Sequence, residues 1–388
     1  MPDVDVDEDD ITGIFYTSGT TGRSKGATLT HRQVIANLQN QFVLGTAAGL
    51  ASGAAPAELS GTGQAAALLI VPLFHTTGCH STMVLNYAAG AKLVLMPPGR
   101  FEPELAMRII QDEKVTSIGG VPTIMWRIIE SPRLAKFDLS SVTRIGYGGA
   151  PAAPELVQRI AEVFPNAKSG LSTAYGLTET ASVATANIAD DYFTHPSSAG
   201  RAAPTVELRI VDEAGNDVPT GEAGEILVKG PTVSVHGYWN RPDANAETFT
   251  NGWFHSGDIG KLDEDGFLYI VDRAKDMVIR AGENIYCVEI ENVLFEHPDV
   301  IDAAVVGVPH KTLGEEVKAV VQRKPGSNLT AADLQAFCRE RLADFKVPEY
   351  VEFVDHPLPR NPAGKVLKAA LRGEGTAFTA DATSDSAL

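Results

Sequence analysis

The chain has 388 residues, 44% of them hydrophobic and 21% charged, with a formal net charge of −17 at pH 7. That length exceeds one ordinary core and predicts two or three domains. The acidity argues against nonspecific binding to nucleic acid or to an anionic membrane, both of which need an excess of Lys and Arg. Cys79, Cys287 and Cys338 lie far apart, show neither metal spacing nor a disulfide framework, and fit a reducing cytoplasm. The acidic N-terminus lacks the apolar stretch of a signal peptide. The longest apolar run, residues 65–74, is too short for a transmembrane segment and contains Pro72.

In chain order, residues 11–16 read as a short buried strand entering the Gly/Thr-rich loop "YTSGTTGRSKGA". A helix is predicted over 30–44 with Thr30 as its N-cap, then a Gly/Ala/Ser-rich loop over 45–64. "ALLIVPL" and "AKLVLMP" read as strands. "PELAMRIIQDEKV" places Leu105, Ile109 and Ile110 on one helical face. "RIGYGGAP" is a strand ending in glycines. The helix that follows carries Leu156, Val157, Ile160, Ala161 and Phe164 on one side, with Pro154 in its first turn. This alternation predicts parallel strands covered by helices. From about residue 200 to 272 the pattern changes to short strands with Gly-containing turns, Asp265-Gly266 among them, which predicts a small β-rich subdomain. Next come a helix around "EIENVLFEH", a strand "DAAVVGV", and "EEVKAVVQRK", which alternates as a half-buried strand. The helix over 330–345 opens on a Thr330/Asp333 capping pattern and shows Leu334, Phe337, Cys338 and Leu342 on one face. The last residues, from 373 on, have the composition of a disordered tail.

The Gly/Thr loop suits a phosphate cradle. Gly19, Gly22 and Gly26 let backbone N–H groups converge on an anion, Thr17, Ser18, Thr20 and Thr21 add hydroxyl donors, and Lys25 adds charge. It lacks the spacing of a Walker A loop, and by composition alone a flexible linker is the alternative. It is followed in order by "YGLTET" (175–180), "GEILVKG" (224–230), "WFHSGDIG" (253–260), "YIVDRAKDMVIRAGENIY" (269–286) and "PRNPAGKVLK" (359–368).

Those six motifs resemble the superfamily of adenylate-forming enzymes, which includes acyl-CoA synthetases, firefly-type luciferases and the adenylation domains of peptide synthetases. The resemblance implies an α/β fold: a large adenylation domain over 1–272, here short at its N-terminus, and a small mobile α+β domain over 276–371, with 372–388 as a tail. The large domain would combine a mixed α/β sheet subdomain with the β-rich subdomain. The implied reaction has two steps. A carboxylic acid, fatty or aryl, reacts with ATP to give acyl-AMP, and the thiol of CoA then displaces AMP.

By the same resemblance the Gly/Thr loop grips pyrophosphate. Tyr175 would stack on adenine, with Gly148, Gly149 and Ala150 as the opposite wall. Thr178 would donate to a phosphate, and Glu179 would hold Mg²⁺. Asp258 and Arg273 would contact the ribose. Lys365 would bridge the carboxylate and the α-phosphate and so be the catalytic lysine of the first step. Lys275 would mark the hinge, and Gly282 would leave room for the pantetheine arm. His75 would lie near the acyl carboxylate, and residues 119–126 would line the acyl pocket. Taken singly, most of these residues also have a bland reading, such as a turn aspartate or a surface lysine.

In this chain the Gly/Thr loop begins only 15 residues in, whereas the family carries a domain-sized stretch ahead of it. Exposed apolar surface covered by a partner chain or by a second copy is therefore expected. The competing readings are an acyl-AMP ligase that serves a carrier protein, and an inactive fragment of a CoA ligase.

Overall fold

The computed structural model describes residues 5–17, 24–51, 53, 64–99, 101–148, 154–361 and 365–373. They divide into two compact units: residues 1–256 with 260–270, and residues 257–259 with 271–388.

The first unit opens with a hairpin of β1 (Ile11–Thr17) and β2 (Lys25–Thr30), whose register runs to the pair Thr17–Lys25 on either side of the Gly/Thr loop. The sequence predicts a buried β1 and shows no signal for β2. In fact Ile11, Ile14 and Tyr16 are exposed, because the hairpin is a sheet of only two strands with one covered face. The helix His31–Ala51 begins where expected. Thr30 and Gln33 form a reciprocal cap, each backbone N–H donating to the other's side chain. The helix runs seven residues past 44, into a stretch expected to be loop, where alanines favour the helix.

A seven-stranded sheet follows in the order β4-β3-β5-β6-β7-β8-β9. Its strands are β3 (Ala66–Leu69), β4 (Lys92–Leu95), β5 (Ser117–Gly120), β6 (Arg144–Gly148), β7 (Leu171–Tyr175), β8 (Thr185–Ile188) and β9 (Arg201–Ala202). The first five are mutually parallel, as expected, and β8 and β9 add an antiparallel edge. Helices Pro103–Glu113, Pro122–Ile129 and Pro154–Val163 pack into one core with Leu68, Ile118, Ile145 and Leu171. The first of them buries Ile110 of the predicted face and packs Ile109 against the core, and it also buries Ala106 and Met107, while Leu105 stays half-buried. The third buries Leu156, Val157 and Ile160 as predicted, with Phe164 just beyond its end. Between β3 and β4 lies a π-helix, Thr77–Val84, which carries no sequence signal of its own.

The β-rich part is a five-stranded sheet of β10 (Glu207–Val211), β11 (Gly224–Lys229), β12 (Phe249–Thr250), β13 (Trp253–Leu262) and β14 (Leu268–Arg273). The β13–β14 turn contains Gly266 at φ +78°, and Asp263 accepts the backbone N–H groups of Asp265 and Phe267.

The second unit has a sheet in the order β16-β15-β18-β17, with β19 (Tyr350–Val354) parallel to β18. Its other strands are β15 (Val278–Arg280), β16 (Glu283–Ile285), β17 (Val300–His310) and β18 (Gly314–Arg323). Helices Cys287–Phe295 and Ala331–Arg339 cover one face, and the Thr330/Asp333 capping box forms as predicted. β18 is not half-buried as expected. Val317, Ala319 and Val321 join the main core, while Val320 packs with Ala304 and Leu358 on the other face. The predicted 330–345 helix ends at Arg339, with Leu342 beyond its end and half-buried. Arg372, expected to begin the disordered tail, pairs with Asp276 at 3.3 Å, and residues from 374 on lie outside those described.

Candidate active site

In the first unit, two motifs far apart in sequence meet around one tyrosine. The chain turns after β7 into a single 3₁₀ turn, Thr178–Thr180, which leaves Thr178 half-buried and Glu179 buried. Tyr238, 59 residues later, donates its hydroxyl to Glu179 Oε1 at 2.6 Å. Lys25 Nζ, at the start of β2, stands 4.9 Å from the centre of the Tyr238 ring. Such a cation over an aromatic face is worth about 0.5–2 kcal/mol. Burial and the Glu179 charge push the Tyr238 phenol well above its ordinary range, so it remains a donor. The backbone also closes the arrangement, since Ser234 N–H donates to Glu179 O at 2.7 Å.

Tyr175 ends β7 half-buried, against the β-rich core. Gly148 ends β6, and a Cβ there would lie 2.6 Å from the Ala174 carbonyl of the neighbouring strand, which alone requires glycine. Thr17 Oγ1 donates to Lys25 O at 3.4 Å across the hairpin. Ser18, Gly19, Thr20, Thr21, Gly22, Gly149 and Ala150 lie outside the described residues. His75 is half-buried, and its Nδ1 accepts the Thr77 backbone N–H at 3.2 Å. In the stretch 119–126 Met125 is fully buried in the core, while Ile124 and Trp126 are half-buried.

In the second unit, Asp258 is 4% exposed and pairs with Arg273 Nε at 3.2 Å. The neighbouring Asp272 accepts the backbone N–H groups of Arg273 and Cys287, which ties β14 to the helix Cys287–Phe295. Lys275 lies exposed in the turn after β14. Gly282 and Ala281 form the two-residue turn between β15 and β16, with φ of +87° and +53°. Both signs fit a type I′ hairpin, and added volume at Gly282 would meet nothing within 4 Å, so the turn by itself accounts for the glycine.

Lys365 is held by its main chain. Its N–H donates to Asn361 Oδ1 at 3.0 Å, and its carbonyl accepts the Asn361 N–H at 2.9 Å. The segment is anchored on either side by Arg360–Asp302 at 2.6 Å and Lys368–Glu291 at 2.8 Å. Tyr238 lies outside the quoted motifs, and Asn361 and Lys368 lie inside "PRNPAGKVLK" without a role assigned from sequence; the partners of Tyr238 and Lys368 are remote along the chain.

The model for the AMP-binding enzyme matches residues 1–239, and the model for the AMP-binding enzyme C-terminal domain matches residues 289–365. The chain belongs to the AMP-binding enzyme family. The expected adenylate-forming architecture is thereby borne out.

A feruloyl-CoA synthase of Amycolatopsis sp is 39% identical over 96% of this chain and 71% of its own length. A long-chain-fatty-acid–CoA ligase of Escherichia coli O6:H1 is 38% identical over 94% of this chain and 62% of its own length. Among solved structures, ATP-bound MatB from Rhodopseudomonas palustris superposes with a TM-score of 0.84 at 35% identity, over 95% of this chain and 69% of that one. The o-succinylbenzoate coenzyme A synthetase of Bacillus subtilis, in complex with ATP and magnesium ion, gives 0.78 at 33% identity, over 94% and 70%. No helix among the described residues is long and apolar enough to cross a membrane.

Proposed function

We propose that the chain activates a fatty or aryl carboxylic acid with ATP and passes the acyl group to CoA. The acid's carboxylate oxygen attacks the α-phosphorus, and the bond to the departing pyrophosphate breaks. The thiol sulfur then attacks the acyl carbon, AMP leaves, and the thiol proton passes to solvent. The observation that carries this reading is the contact series Lys25–Tyr238–Glu179, which joins the base of the phosphate-gripping loop to the "YGLTET" turn.

The donor set at Glu179 suits Mg²⁺ brought in with nucleotide. No group of three His, Cys, Asp or Glu gathers into a metal cage among the described residues. Glu179 would hold Mg²⁺ through its buried carboxylate, a hard oxygen ligand of the kind this cation takes together with phosphate. When bound, the ion neutralises phosphate charge. Asp258 and Arg273 would hold the ribose, with the carboxylate accepting from its hydroxyls. Lys365, fixed by Asn361, would bridge the attacking carboxylate and the α-phosphate. Lys275 would be the hinge between the pose that presents Lys365 and the pose that presents the turn at Gly282. The three cysteines are unbridged, which fits a reducing cytoplasm.

The test is pyrophosphate release by the purified chain with ATP, Mg²⁺ and a panel of fatty and aromatic acids, with and without CoA. Acid-dependent release with CoA-dependent thioester is the expected result. Thioester formed only on an added carrier protein would replace CoA as the acceptor, and a folded chain silent with every acid would overturn the reading. Lys365→Ala should cut adenylation by about 10²–10³-fold while sparing thioester formation from supplied acyl-AMP.

A further inference from the structure

Immediately after Glu179 the backbone enters an unusual corner. Ala181 sits at φ +56° and Ser182 at φ +130°, neither of them glycine. Left-handed conformations of this kind cost about 1–3 kcal/mol each and persist only where their surroundings enforce them. The surroundings here are two adjacent side chains of the π-helix. His80 Nδ1 lies 3.0 Å from Ala181 O, and Ser81 Oγ lies 2.7 Å from Ser182 Oγ. A carbonyl only accepts, so His80 carries its proton on Nδ1 and donates. His80 is 5% exposed, and its ring meets Phe15 of β1 edge-on, with centroids 4.8 Å apart. The same imidazole therefore touches the strand that leads into the Gly/Thr loop and the corner that follows Glu179. The corner is tight: a Cβ at Gly176 would fall 1.5 Å from Ser182 O. His80 and Ser81 both lie in the π-helix, a kind of turn that recurs at functional sites.

We propose that His80 and Ser81 are positioning residues that hold the Ala181–Ser182 corner in its strained form and thereby aim the Glu179 carboxylate at the magnesium–nucleotide. The inference rests on the reading of Glu179 as the magnesium-binding carboxylate. Neither side chain needs to touch nucleotide. Burial keeps the His80 imidazole below its ordinary range, so the clamp stays neutral near pH 7.

The experiment is calorimetric titration of the full chain with ATP, without any acid, in Mg²⁺ and in EDTA. The quantity read is the Mg²⁺-dependent gain in ATP affinity, for wild type, His80→Ala, His80→Asn, Ser81→Ala and Glu179→Gln. Loss of a supporting partner typically costs about 10-fold or more in metal affinity, so His80→Ala should lose about that much of the gain while its affinity in EDTA stays unchanged. His80→Asn, which keeps an N–H donor, should restore most of it, and Ser81→Ala should lose a smaller share. An unchanged gain in His80→Ala, with Glu179→Gln abolishing it, overturns the clamp and leaves the Glu179 reading standing. An undiminished gain in Glu179→Gln, or no ATP binding by wild type, overturns the reading itself. If His80→Ala does not fold, Ser81→Ala decides: a gain equal to wild type at an unchanged melting temperature overturns the proposal.

Discussion

Tyr238 does two things with one ring: its hydroxyl bonds a buried carboxylate and its face receives an ammonium. Tyr238→Phe separates the two, because it keeps the face and deletes the donor. Leaving Glu179 without that partner should cost about 1.5–3 kcal/mol of stability, read from urea unfolding. An unchanged midpoint would mean that the hydroxyl contributes nothing. Asp272 makes a pH prediction with a definite sign. Burial raises its carboxyl to about 6 in the folded chain, against an unfolded value near 4. The folded state then holds more protons than the unfolded one between those values, so its contribution to stability falls as pH rises from about 4 to about 6. Asp272→Asn does not titrate, so the stability of wild type relative to the variant should fall across that window, by about 2–3 kcal/mol at most. A difference that stays constant with pH would remove the assignment. These residues also show where sequence reading stops. Lys25 and Glu179 could be picked out by motif, but Tyr238 and Asp272 owe their roles to partners 59 and 15 positions away.

At the scale of elements, the helix His31–Ala51 reverses the usual pattern. It buries Gln33, Asn37 and Asn40, which donate to Val233 O, Val183 O and Thr205 Oγ1. Those amides moor the helix to three separate segments of the first unit, which apolar side chains could not do with the same specificity. It runs past residue 44 because an Ala/Gly stretch has the composition of a helix as well as that of a loop. The β15–β16 hairpin offers the clearest test at this scale. Gly282→Ala places a Cβ on a φ of +87°, where steric strain costs about 1–2 kcal/mol. The second unit should melt earlier by a corresponding amount while β15–β16 register is kept, and calorimetry of wild type against variant checks it. No change would mean that the turn relaxes to another type.

At the scale of the molecule, large apolar side chains face solvent on β1 (Ile11, Ile14, Tyr16) and on the helix His31–Ala51 (Ile35, Phe42, Val43, Leu50). Exposed apolar surface of this kind favours association. Sedimentation over a range of concentrations should show self-association that Tyr16→Lys with Phe42→Lys reduces. A monomer at every concentration would remove that expectation. The charge of −17 works against nonspecific aggregation but not against a complementary apolar contact.

The sequence by itself determined the family, the order of its six motifs, the parallel character of the main sheet and the capping of the helices at Thr30 and Thr330. These are local properties: hydrophobic period, cap chemistry, and glycine placement within a few residues. Only the tertiary structure decided that β2 follows the Gly/Thr loop and that β18 is covered on both faces. It also decided that His80, five residues past the histidine singled out from sequence, reaches the corner after Glu179. The physical reason is the same in each case. A strand's burial, a side chain's partner and a strained corner's support depend on what the rest of the chain places opposite, and no local pattern encodes the opposing surface.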